Sequence, residues 1–187
     1  MSNDTFLYKI DEENVKKLMG DTDNNVSYFN SVMEQTADRY TKTLDEIMTK
    51  LNRVILSPDD ISVEDLEKYL LELTNTLYFI GTGSERLGVY DDMSKAAQKE
   101  VYNRAYLNNQ VDFSDKKKPT VAENQAVAEQ KSQYESVVNS IYNHASKIVK
   151  YKIEAAYEMA SALKKIVSRR MQEENLSSMQ TRFGVSE

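Results

Sequence analysis

Cysteine and tryptophan are both absent from this chain of 187 residues. Without cysteine there is no disulfide framework and no thiolate metal site. A single histidine, His144, leaves no imidazole cluster to hold a metal. Glycine occurs five times and proline twice. Sheet-rich folds draw on both residues for tight turns, so their scarcity points to an all-α fold of a few long helices. No apolar run is long enough to span a bilayer. Residues 1–11 include Asp4 and lack the apolar segment of a signal peptide. A cytoplasmic protein with no membrane partner is expected.

Aromatic residues are mostly tyrosine, 12 against 5 phenylalanines. A tyrosine ring packs while its hydroxyl stays wet, which suggests shallow, interface-like cores. The net charge of -6 is unevenly placed. Residues 1–100 carry 11 bases and 20 acids, whereas residues 101–187 carry 13 and 10. Such polarity suits polyanion binding or head-to-tail assembly.

The pattern along the chain divides it into five parts. Residues 1–25 read as a flexible acidic arm, with Asn25 placed to cap the first helix. Residues 26–110 read as a helical region. Val26, Phe29, Met33, Ala37, Tyr40, Leu44, Ile47, Leu51 and Val54 fall at steps of three and four. Pro58 should end that helix. Ser62 then caps a second helix with a stripe through Leu66, Tyr69, Leu70, Leu73, Leu77 and Ile80. The segment Gly81-Thr82-Gly83 is expected to break it. A third helix over 91–110 would turn Met93, Ala97, Val101, Ala105 and Tyr106 or Leu107 inward. Residues 111–119 read as a linker. Residues 120–175 read as a long basic C-terminal helix with Val127, Tyr134, Val138, Ile141, Ala145, Ile148, Ala155, Met159, Leu163 and Ile166 on its apolar face. As one piece from Val121 to Glu174 it would be roughly 80 Å long, more than a compact monomer needs. It would therefore fold back or pack on other subunits in a coiled-coil-like homo-oligomer. Residues 176–187 read as a frayed tail.

No constellation supports catalysis. Gly81-Thr82-Gly83-Ser84 lacks the Gly-Lys-Ser/Thr ending of a phosphate loop and no strand precedes it. Glu64, Asp65, Glu67, Asp91 and Asp92 lack EF-hand spacing and read as solvated acids. His144 has no carboxylate at helical spacing to orient it, and no serine sits in a nucleophile elbow. The chain reads as non-enzymatic, and no cofactor is implied.

The basic stretch is more informative. Lys147, Lys150, Lys152, Lys164, Lys165, Arg169 and Arg170 face only Glu154 and Glu158 over the same span. Compensation of the helix dipole accounts for Arg169 and Arg170. It does not account for the mid-helix lysines. Tyr142, Tyr151 and Tyr157 are interleaved with them. Bases that track phosphates among rings that stack bases are the composition of a single-strand nucleic-acid groove; tyrosines at helical spacing serve equally as core.

Several segments in order resemble a known family. They are Asn75-Thr76-Leu77-Tyr78, Ala97-Gln98-Lys99-Glu100-Val101, Arg104-Ala105-Tyr106-Leu107, and Thr120-Val121 leading into a long tyrosine-bearing helix that ends in bases. Over roughly residues 66–172 the chain resembles the UvsY-like phage recombination-mediator family. The resemblance implies a small helical homo-oligomer that binds single-stranded DNA and helps load a recombinase against a single-strand binding protein. It would do so in the cytoplasm of an infected bacterium. It also implies strand contact by Lys99 and Arg104. Tyr106 stands where the family has a further base, which trades a phosphate contact for a stacking ring. Residues 1–65 lie outside the resemblance. If the third helix folds beside the fourth, Lys99, Arg104, Lys147, Lys150 and Lys152 would line one groove. The rival readings are a phage structural or adaptor protein, and a regulatory protein that binds only protein through its acidic half.

Overall fold

The computed structural model describes residues 22–56, 61–111 and 119–183. Among them only Ile61, Ser62, Pro119, Thr120 and Ser132 lie outside helices, so the described chain is all-α. The helices are α1 (Thr22–Leu56), α2 (Val63–Val111), α3 (Val121–Lys131) and α4 (Gln133–Phe183). The expected stop at Pro58, residues 1–21 of the arm, residues 112–118 of the linker and residues 184–187 of the tail lie outside the described residues.

The helix starts follow from local chemistry. Ser62 Oγ accepts from the Asp65 amide at 3.1 Å and donates to the Asp65 carboxylate at 2.7 Å. That hydroxyl holds the Asp65 carboxyl below its usual range. At α3, Thr120 and Glu123 form a full capping box. The Thr120 amide donates to the Glu123 carboxylate at 2.7 Å and holds its pKa low. Asn25, expected as a cap, lies inside α1.

The helix boundaries depart from expectation in three places. The helix α2 continues through Gly81-Thr82-Gly83 into the segment read as a third helix. A helical glycine costs about 1 kcal/mol relative to alanine, which is small beside the burial of Leu77, Ile80 and Leu87 on one face. Gly83 also has a packing role, since a Cβ there would sit 2.9 Å from Cδ1 of Tyr40. The long basic helix is divided at Ser132, but only locally. The Ser132 amide still donates to the Ala128 carbonyl and the Ser136 amide to the Ser132 carbonyl, each at 3.0 Å. Beyond Glu174, α4 runs on to Phe183, because no glycine or proline precedes Gly184 to stop propagation.

The chain forms two compact units. Unit 2 comprises Asp38–Glu85 and the chain from Ile148 onward. Its core joins Leu44, Ile47, Leu51 and Val54 of α1, Leu66, Leu73, Leu77 and Ile80 of α2, and Ala156, Ala160, Leu163 and Val167 of α4. Unit 1 comprises the chain up to Ala37 and Arg86–Lys147. There Ile141 is buried among half-buried Phe29, Val32, Tyr134, Val137, Val138 and Tyr142. Met93, Ala97 and Leu107, expected inward or as an inward alternative, are exposed. The unbroken α2 carries its phase from Leu66, Leu73 and Ile80 on to Leu87 and Ser94 instead. On α4, Ile148, Ala155, Met159 and Ile166 are half-buried and their neighbours Val149, Ala156, Ala160 and Val167 are fully inside.

Candidate nucleic-acid interface

Within unit 2, α4 has two distinct faces. Val149, Ala156, Ala160, Leu163 and Val167 point into the core. On an exposed flank, roughly 60–100° round the helix from that core-facing side, lie Lys150, Tyr157 and Lys164 at steps of seven residues. Two helical turns separate successive members by about 10.5 Å. Tyr157 is 57% exposed and Tyr151 is 73% exposed. Lys165 and Arg169 flank this face, and Glu154 and Glu158 interrupt it. Arg169 Nε lies 3.6 Å from Glu173 in an exposed pair, which leaves its charge largely free for exchange.

Lys152 does not belong to that face. It occupies the inward step between Val149 and Ala156, where an ammonium must be paired. Its Nζ donates to Asp45 Oδ2 at 2.7 Å, Thr41 Oγ1 at 3.0 Å and Asp38 Oδ1 at 3.4 Å. Burial works against the charge, but the hydrogen bond and charge of Asp45, with Asp38, outweigh it. Lys152 is therefore held above the usual lysine range. Its mid-helix charge, unexplained by the helix dipole, is explained by this network. The half-buried Arg170 donates to the carbonyl of Ile61, just ahead of α2. Both side chains serve packing in this arrangement.

The remaining expected residues lie in unit 1. Lys99 and Lys147 are exposed. Arg104 pairs with Glu100 one turn earlier. Lys99 and Arg104 are five residues apart, about 140° around α2, so they face different directions. Tyr106 stacks on Tyr102 with ring centroids 6.4 Å apart, and Tyr142 stacks on Tyr90 at 5.5 Å. Of the five residues expected in one groove, Lys99, Arg104 and Lys147 belong to unit 1, and Lys150 and Lys152 to unit 2.

A second surface went unread in the sequence. Leu71, Tyr78 and Phe79 of α2 are 70%, 76% and 66% exposed. The signal was there: Leu70-Leu71 and Leu77-Tyr78-Phe79-Ile80 supply more apolar residues than one core face can take. Phe79 also borders a groove of about 440 Å³ with Arg39, Tyr40, Asn75 and Gly83.

The other sequence candidates resolve into packing and surface. Gly81 and Gly83 are helical, so they form no phosphate loop. Glu64 and Asp65 pair with Lys68, and Asp91 accepts from Asn143. His144 is exposed, with its ring edge-on to Phe29 at 6.2 Å. Among the described residues no group of three His, Cys, Asp or Glu side chains is placed to hold a metal ion. No helix among them is long and apolar enough to cross a membrane. No protein-family model, curated protein or solved structure matches the chain.

Proposed function

We propose that this protein acts by binding rather than catalysis, and that the exposed flank of α4 in unit 2 takes single-stranded nucleic acid. The observation that carries this reading is the exposed Tyr157 set between exposed Lys150 and Lys164, with Tyr151 exposed alongside. Exposed ammoniums attract the phosphate backbone, and exposed tyrosine rings offer stacking worth roughly 1–3 kcal/mol per base. The resemblance to recombination mediators adds the setting: loading of a recombinase on a strand held by a single-strand binding protein, with no cofactor.

The test is a filter-binding titration of single- against double-stranded DNA at two salt concentrations. Single strands should be preferred, with log affinity falling by about 0.7 per phosphate contact for each unit of log salt. The four exposed bases on and beside this face, Lys150, Lys164, Lys165 and Arg169, limit that slope to about 3. Lys150→Glu with Lys164→Glu should weaken binding more than tenfold and flatten the slope. Unchanged binding by this variant would remove the strand-binding reading.

A second reading, a structural or adaptor protein, is favoured by the exposed Leu71, Tyr78 and Phe79, since clustered apolar surface marks protein contact. Salt-independent failure to bind strands, together with a large native mass, would select it.

A further inference from the structure

The outward face of α2 in unit 2 carries a stripe at the same seven-residue step as α4. It runs Glu64, Leu71, Tyr78 and Glu85, all exposed. The α4 stripe runs Lys150, Tyr157, Lys164 and Met171, also exposed. One has an apolar centre between carboxylates, and the other has a tyrosine between ammoniums. Each covers about 32 Å of helix. Glu64 currently pairs with Lys68 at 3.1 Å on the surface; exposed pairs of this kind contribute little and exchange readily. Glu67 adds a further acid beside the α2 stripe. Glu154 and Glu158 oppose the basic stripe from its flank, where Lys165 and Arg169 offset them.

One charge pair forms in either direction of packing, while Glu85 meets no lysine. With Tyr157 set against Leu71, a lysine falls opposite Glu64 whether the helices run parallel (Lys150) or antiparallel (Lys164). The other lysine then falls over Tyr78, where an ammonium on a ring face is attractive. Opposite charge, equal step and complementary apolar centres occur on two surfaces of one body.

We propose that the α2 stripe of one copy docks on the α4 stripe of a second copy, and that single-stranded nucleic acid competes with that docking for the α4 stripe. The competition rests on the strand-binding reading above. Because the two stripes differ, the contact is heterologous and joins copies head to tail. A single helix-on-helix contact of this length falls below the roughly 1,200 Å² of a standard interface. The assembly is therefore weak, favoured by concentration and low salt, and is dissolved by a polyanion that engages several lysines at once. Free protein is stored as short chains of copies, and strand binding releases them.

The experiment is sedimentation velocity on the full chain at high micromolar concentration and low salt, with and without oligothymidylate. Two charge-reversal variants accompany it, Glu64→Lys/Glu85→Lys and Lys150→Glu/Lys164→Glu, each checked for parental helicity by circular dichroism. The parent should sediment above monomer mass and each variant alone as monomer. An equimolar mixture of the variants should recover assembly, because each then meets an opposite stripe. Saturating oligonucleotide should dissolve the parental assembly, and the α2 variant should bind it at least as tightly as the parent. A monomeric parent, assembly unaffected by either reversal, or no recovery in the mixture would overturn the docking. Strand binding that leaves assembly intact would overturn the competition while the strand reading stands. Assembly with no strand binding by any of the proteins would overturn the strand reading and the competition with it.

Discussion

Along α2 a single seven-residue step passes Leu66, Leu73 and Ile80 in unit 2, then Leu87, Ser94 and Val101 in unit 1. The companion positions change in the same way, from Leu70 and Leu77 to Ser84 in unit 2 and then Asp91 and Gln98 in unit 1. Unit 2 is closed by aliphatic side chains from three helices. Unit 1 replaces many of them with hydrogen-bonded polar groups. Asn139 donates to Ser94 Oγ at 3.1 Å and to the Asp91 carbonyl at 3.4 Å, Asn143 donates to the Asp91 carboxylate at 3.2 Å, and Asn109 donates to Asn124 at 2.6 Å. Among the described residues, the buried polar side chains of unit 1 are Thr36, Ser94, Asn124, Ser132 and Ser146, against Thr41 in unit 2. Apolar burial contributes about 25 cal/mol per Å², whereas a typical internal hydrogen bond nets only about 1 kcal/mol. Unit 2 should thus supply most of the stability. The directional bonds of unit 1 constrain its register.

The comparison can be broken most directly by truncating each core. Leu73→Ala in unit 2 should cost about 2–5 kcal/mol, and Ile141→Ala in unit 1 should fall at the lower end, because its half-buried neighbours can close in or admit water. Urea denaturation would measure both. Hydrogen exchange should show α4 amides beyond Ile148 outlasting those before Lys147. Equal protection would remove the distinction between the units.

Lys152 tests the charged exception in the apolar unit. Lys152→Met should lose about 1–2 kcal/mol through the hydrogen bonds to Asp45 and Thr41. The folded pKa lies above the unfolded one, so this contribution is fully present below about pH 10.4. It is lost as pH rises through the raised folded value. The stability gap between parent and variant should accordingly persist through neutral and mildly alkaline pH and narrow only above that range.

Smaller effects sharpen the contrast from the other side. Asn139→Ala and Asn143→Ala should each cost about 1 kcal/mol, while the pair Ser94→Ala with Asn139→Leu, which removes donor and acceptor together, should be near neutral. Destabilisation by the pair as large as that by Asn139→Ala would mean that unit 1 depends on its polar bonds for energy as well as register. The smallest changes concern glycine. Gly81→Ala and Gly88→Ala meet open space and should each gain about 0.5–1 kcal/mol. Gly83→Ala should gain less or lose stability, since Tyr40 must give way. Thermal melts of the three would rank them.

Much of the fold was legible because burial in a helix repeats every three to four residues. The α1 stripe from Ala37 to Val54 and the α2 stripe from Leu66 to Ile80 were readable residue by residue. The phase of α2 beyond Gly83 was not, since two glycines look like a stop until the ring of Tyr40 explains one of them. With an assumed break the phase was free, and Met93 and Ala97 were assigned the place that Ser94 holds. A buried serine looks like a surface residue until Asn139, 45 positions away, is seen to bond it.

Scarcity of glycine and proline and the helical period determined by themselves that the described residues form long helices, because helical periodicity is set by near neighbours in the chain. Which charges are free to meet a partner was decided only by tertiary structure. Lys150 and Lys152 are two positions apart and chemically identical. One faces solvent beside Tyr157, and the other turns inward to Asp45, 107 residues earlier in the chain. Two residues turn a helix by about 200°, and only the place of the facing helix determines which lysine must be paired.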